Sequence, residues 1–203
     1  LHRVDRRQRQ MCIRDRFIIS TNSYGIVAND GSGSFGSVSG YAALGETFKE
    51  VISGDFNNDG KQDVLIASSV SGLGDFAYVM LGDGTTNVSG FDIMTRVQTS
   101  FDIPQKTEFV VADMNGDSIL DLIDAANSGN VSIFYGSGNG TFQSGTAIAV
   151  NGGGIGADVG DFNHDGLNDI ILSTSFGGVE VLMNQGGGSF AHSVIAGLEA
   201  DFY

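Results

Sequence analysis

Short runs of branched apolar residues recur along this chain, separated by stretches built almost wholly of Gly, Asp, Asn and Ser. The runs Val64–Ala67, Leu122–Ala125 and Ile170–Ser173 are too brief and too β-branched for helices and predict strands. A second set of strand-like segments, Phe48–Ser53, Phe109–Ala112 and Ala157–Gly160, precedes them, and a third, Ala77–Leu81, Val131–Tyr135 and Val179–Met183, follows. Each member of the third set runs into a glycine-rich turn, GDGTT from 82, GSGNGTF from 136 and NQGGGSF from 184. No helix of useful length is predicted.

A fixed order of strand, polar loop, strand, strand, glycine turn and strand describes one four-stranded antiparallel blade. Such a blade cannot bury both faces alone and has to stack on others around an axis. The expected fold class is therefore all-β, part of a β-propeller, with about three to four blades present. Residues 48–105, 106–153 and 154–193 each form a blade, and 17–47 form a partial one, since Phe17–Ser20 and the turn NDGSGSF at 29–35 match the second half of a repeat. There Arg16 stands where the repeat calls for Asp. Residues 194–203 read as the start of a further blade, because Glu199–Phe202 repeats the entry into a loop, so the chain reads as truncated at both ends.

The polar loops carry the chemistry. DFNNDGKQD at 55–63 returns as DMNGDSILD at 113–121 and DFNHDGLND at 161–169, with an acidic or amide oxygen at positions 1, 3, 5 and 9 each time. So many oxygens in one tight turn repel each other unless a hard cation sits among them, and oxygen-only ligation selects Ca2+ over zinc or copper. An Asp/Asn turn held by side-chain to backbone hydrogen bonds is the metal-free alternative, but it does not require an acid at position 9. An EF-hand needs a Glu at position 12 and flanking helices; position 12 here is Ile66, Asp124 or Leu172, and strands flank the loop. A calcium β-roll is excluded because its nine-residue glycine repeat does not occur.

A calcium loop joining two strands resembles the FG-GAP and VCBS repeats of integrin-α-like β-propellers, and the resemblance covers residues 17–203. It implies that Asp55, Asn57, Asp59 and Asp63 supply side-chain oxygens and Lys61 a backbone carbonyl in the first loop. The second loop would use Asp113, Asn115, Asp117 and Asp121 with the Ile119 carbonyl, and the third Asp161, Asn163, Asp165 and Asp169 with the Leu167 carbonyl. That makes about three Ca2+ sites. Gly60 and Gly166 fall where the chain turns sharply; Ser118 replaces glycine in the second loop, which predicts strain there.

Composition sharpens this in two ways. Residues 1–16 hold six of the ten Lys/Arg and the only cysteine, Cys12, and MCIRDR at 11–16 looks like a translated library adapter, so the segment is set aside as non-native. The remainder has four basic residues (Lys49, Lys61, Arg96, Lys106) and 22 acidic ones, moving the net charge from −14 to −18. Such a surface repels nucleic acid and anionic lipid, and no membrane insertion is expected. Extracellular calcium modules with dissociation constants of about 0.1–1 mM fill outside the cell and stay mostly empty in the cytosol, which points to secretion or the cell surface.

No catalytic constellation is visible. His2 lies in the foreign segment, His164 inside a calcium loop, and His192 after a glycine turn as an exposed strand residue. The expectation is a non-catalytic module that binds an extracellular protein or a glycan in adhesion. The alternative is the propeller portion of a secreted calcium-dependent polysaccharide lyase or another carbohydrate-active enzyme, in which Ca2+ would neutralise a uronate carboxylate beside a base.

Overall fold

A computed structural model describes residues 15–20, 23–29, 35–39, 47–70, 74–84, 91–98, 109–125, 129–151, 154–174 and 178–195. Most of the segment set aside above, including Cys12, and the loop entry at 199–202 lie outside these residues. Among the described residues fifteen strands form four antiparallel sheets. The first holds three strands, β1 (Asp15–Ser20), β2 (Ser23–Asn29) and β3 (Phe35–Ser39). The next three are four-stranded meanders, each with its strands in chain order. They comprise β4 (Thr47–Gly54), β5 (Asp63–Val70), β6 (Gly74–Gly82) and β7 (Phe91–Gln98); β8 (Phe109–Ala112), β9 (Asp121–Asp124), β10 (Asn130–Gly136) and β11 (Phe142–Ala149); and β12 (Gly154–Gly160), β13 (Asp169–Thr174), β14 (Val179–Asn184) and β15 (Phe190–Ile195). The fold is all-β and its sheets fit blades of a partial propeller. Among the described residues no helix is long and apolar enough to cross a membrane.

The central strands explain the unalternating apolar runs. A strand with one solvated face alternates, whereas one covered on both faces is apolar throughout. All four side chains of β9 are buried. Leu122 faces the β4–β7 blade, joining Phe56, Leu65, Ala67, Ala77, Val79, Phe109 and Phe134 in one core cluster. Its neighbour Ile123 faces the other way, into a cluster with Met114, Val131, Ile133, Ile170, Leu172 and Leu182 that ties the β8–β11 blade to the β12–β15 blade. The hydrophobic core thus lies between blades at both of these interfaces.

The same layering places the loops. In each blade the residue before the loop pairs with the loop's ninth residue, Gly54 with Asp63, Ala112 with Asp121 and Gly160 with Asp169. The nine-residue segment is therefore a hairpin connection at the same end of every complete blade.

Candidate metal-binding loops

Within each loop the side-chain oxygens of positions 1, 3 and 5 are drawn together by the loop's own amides. The position 1 carboxylate accepts the N–H groups of positions 5 and 6: Asp59 and Gly60 on Asp55 (3.0 and 2.8 Å), Asp117 and Ser118 on Asp113 (3.2 and 2.8 Å), Asp165 and Gly166 on Asp161 (3.0 and 3.1 Å). The amide oxygen of position 3 accepts the position 5 N–H, at 3.1 Å for Asn57, 2.9 Å for Asn115 and 2.9 Å for Asn163. The position 5 carboxylate accepts the position 7 N–H, from Lys61 to Asp59 (2.9 Å), Ile119 to Asp117 (2.8 Å) and Leu167 to Asp165 (2.9 Å). In the second loop Asp113 Oδ1 also accepts the Asn115 and Gly116 N–H groups, at 3.2 and 2.7 Å.

Such a coil demands left-handed backbone at two places. Position 6 has φ of 80° at Gly60, 67° at Ser118 and 89° at Gly166, and position 4 has 58° at Asn58, 82° at Gly116 and 64° at His164. Every loop thus spends one glycine on two such positions. Position 6 and the strain at Ser118 were legible in the sequence; position 4 was not read, although Asn58 and Gly116, residue types that tolerate this region, were its signal.

The ninth aspartate takes a different place. Asp63, Asp121 and Asp169 are buried, and each divides its two oxygens between two backbone donors. One oxygen accepts the N–H of position 2, from Phe56 (2.8 Å), Met114 (2.7 Å) and Phe162 (3.0 Å). The other accepts an N–H at the end of the third strand, from Gly82, Gly136 and Asn184, each at 2.8 Å. This aspartate is a brace joining the loop to its own blade. Among the described residues no three His, Cys, Asp or Glu side chains converge as a metal cage, in keeping with a ninth carboxylate turned toward the backbone.

The electrostatics of the brace bear on whether a cation fits. Burial pushes the Asp121 carboxyl up to about 6; the N–H groups of Gly136 and Met114 oppose this, and the charges of Asp117 and Asp113 add to it. Asp63 is raised in the same way, by burial first, with Asp55 and Asp59 adding to the rise. Asp59 is held below the usual carboxylate range, chiefly by the Lys61 N–H. Residues 107–203 contain 12 acidic residues and no Lys or Arg. A donor set made only of oxygen, in which the carboxylates of positions 1 and 5 add to the rise of Asp63 and Asp121, fits a hard divalent cation.

Contacts between blades complete the site, and the sequence analysis missed them. The position 2 side chain is apolar in all three loops, and that was its signal. Phe56 and Met114 are 2% and 3% exposed. Their carbonyls accept hydrogen bonds from the following blade, Phe56 from the Gly140 N–H (3.1 Å) and Met114 from Asn184 Nδ2 (2.8 Å). Glu180, the lone charge in the apolar strand β14, is also buried; it accepts the Asn151 N–H at 2.9 Å and meets His192 Nε2 at 2.5 Å. His192 is on an exposed strand as expected, but its ring is engaged by that carboxylate.

The family model of the FG-GAP-like repeat matches residues 55–123 and 113–172, each match running from the first aspartate of one loop into the strand after the next. No curated protein matches the chain. With three loops, three meander blades and these matches in one register, the chain belongs to the FG-GAP-like repeat family.

Proposed function

We propose that the three loops bind calcium and that the chain is a calcium-stiffened, non-catalytic part of a secreted or cell-surface propeller, recognising an extracellular protein or a glycan in adhesion. The observation that carries this reading is the shared geometry of the loops, in which backbone amides gather the side-chain oxygens of positions 1, 3 and 5 in the same register three times. In the second and third loops no Lys or Arg of residues 107–203 offsets these carboxylates. The proposed ligand set is the side chains of positions 1, 3 and 5 with the position 7 carbonyl, and the ninth carboxylate would join it only through the lone pair that each oxygen keeps beside its backbone N–H bond. When bound, a divalent cation supplies charge neutralisation in each loop.

Stiffening follows by mass action. A metal bound only by the folded chain adds about 1.4–2.7 kcal/mol per site at 10 to 100 times its dissociation constant. That energy pins the connection between the first two strands of each blade and leaves the other blade-edge loops free to meet a partner. FG-GAP-like repeats are typical of extracellular proteins, where millimolar calcium fills weak sites.

Equilibrium dialysis of metal-stripped protein tests the proposal. About three Ca2+ per chain are expected, and Asp59→Ala, Asp117→Ala and Asp165→Ala should each remove about one. Absence of uptake at millimolar calcium, together with an unchanged melting temperature on chelation, rejects it. Glycan-array and extracellular-protein binding with and without calcium then identify the partner class.

A further inference from the structure

The three loops differ at positions 2, 4, 6, 7 and 8, and position 7 is where a lysine stands in one loop only. At position 7 the side chain lies on a left-handed glycine of the hairpin between the third and fourth strands. A Cβ placed on Gly84 would meet Lys61 Cδ at 3.3 Å, one on Gly138 would meet Ile119 Cδ1 at 3.0 Å, and one on Gly186 would meet Leu167 Cδ1 at 3.8 Å. Two of these stems end in methyl groups. The third ends in an ammonium that returns to its own loop, with Lys61 Nζ 3.2 Å from Asp59 Oδ2. In the other loops the equivalent carboxylate oxygen is held by a neutral amide, Asn115 Nδ2 on Asp117 Oδ2 at 3.0 Å and Asn163 Nδ2 on Asp165 Oδ2 at 2.9 Å.

We infer that Lys61 is a tethered cation that competes with calcium for Asp59 and so weakens the first loop relative to the other two. This rests on the calcium reading above. The Lys61 stem lies over Gly84 and its ammonium already sits 3.2 Å from the carboxylate. Calcium entering the first loop must displace it or bind beside a like charge. The second and third loops have no such competitor and fill first as calcium rises, so the blades stiffen from the C-terminal side.

Both side chains are partly exposed, 44% for Lys61 and 32% for Asp59, which limits the size of the effect. A screened pair of this kind changes affinity by roughly threefold to tenfold. Titrating 15N-labelled, metal-stripped protein with CaCl2 reads the loops separately through the amides of residues 61, 119 and 167. The midpoint of the first loop should lie about threefold to tenfold above the other two. Lys61→Met, which keeps the stem on Gly84 and the backbone carbonyl, should bring it within about twofold of them. Lys61→Arg should leave it high, and Leu167→Lys should weaken the third loop by a similar factor. Equal midpoints in the unaltered protein, or a first-loop midpoint unmoved by Lys61→Met, overturn the inference while leaving calcium binding intact. If no loop amide responds to calcium, the functional proposal itself fails and this inference with it.

Discussion

The first and third loops are nearly the same peptide, DFNNDGKQD and DFNHDGLND, and they fold the same way, yet their second residues have opposite fates. Phe56 is 2% exposed beneath the next blade; Phe162 is 46% exposed. The Phe56 carbonyl accepts the Gly140 N–H across the interface, and the Phe56 ring meets Phe142 edge-on with centroids 6.1 Å apart. The loop frame is therefore local, set by nine residues and one brace, while burial is relational, set by a blade about eighty residues away. A repeat protein separates these two levels because each unit contacts only its neighbours.

The sharpest way to break this distinction is to truncate both phenylalanines. Phe56→Ala removes a buried aromatic and leaves a cavity between blades, at a cost of about 3–5 kcal/mol. Phe162→Ala, on a largely exposed ring, should fall within about 1 kcal/mol of the parent. Denaturant unfolding of the two variants measures the gap. Equal losses would mean that the position 2 residue contributes through the loop itself and not through its neighbour.

The brace tests the local half. Asp63→Ala strands the buried N–H groups of Phe56 and Gly82, and Asp169→Ala strands those of Phe162 and Asn184. Two lost donors of this kind cost about 2–5 kcal/mol, and the two variants should agree within about 1 kcal/mol despite their different surroundings. A much cheaper Asp169→Ala would show that the brace, too, depends on the next blade.

Acidity probes the same carboxylates. Because burial raises the Asp121 carboxyl to about 6 from an ordinary value of 3.8, the folded chain binds that proton more tightly than the unfolded chain does. Its contribution to the metal-free protein is therefore most favourable below about 4 and declines as pH rises to about 6, levelling off above. Asp63 acts in the same direction, whereas Asp59, held low, acts in the opposite direction below about 4. In EDTA the melting temperature should fall between about pH 4 and pH 6, and Asp121→Asn should flatten that slope. A melting temperature that climbs across this window would contradict the assignment.

Much of the fold was legible because three copies reinforce one weak pattern. Each predicted strand overlaps an observed one, and Val64–Ala67 lies inside β5, which extends to Val70. Short runs of Val, Leu and Ile forecast the strands, and the glycine turns forecast the hairpins. The site was legible only as far as its own nine residues reach. That Asp121 braces Met114 and Gly136 depends on the position of β10, and that Glu180 meets Asn151 depends on the packing of two blades. No spacing within a single loop encodes these contacts.

The smallest expected effect concerns the one loop whose glycine sits in the other left-handed position. The first and third loops place Gly60 and Gly166 at position 6, where φ is 80° and 89°, and place Asn58 and His164 at position 4. The second loop reverses this, with Gly116 at position 4 and Ser118 holding φ of 67° at position 6. A side chain with a Cβ in this region costs about 1–2 kcal/mol, and glycine loses part of that advantage through its extra freedom in the unfolded chain. Ser118→Gly should therefore stabilise the protein by up to about 1 kcal/mol, and Gly60→Ala should destabilise it by about the same amount. Nothing lies within 4 Å of a Cβ built on Gly60, so a loss there reports the backbone and not a clash. If Ser118→Gly is neutral while Gly60→Ala is costly, position 6 is not equivalent in the two loops, and the local frame inferred from their shared hydrogen bonds does not extend to the second repeat.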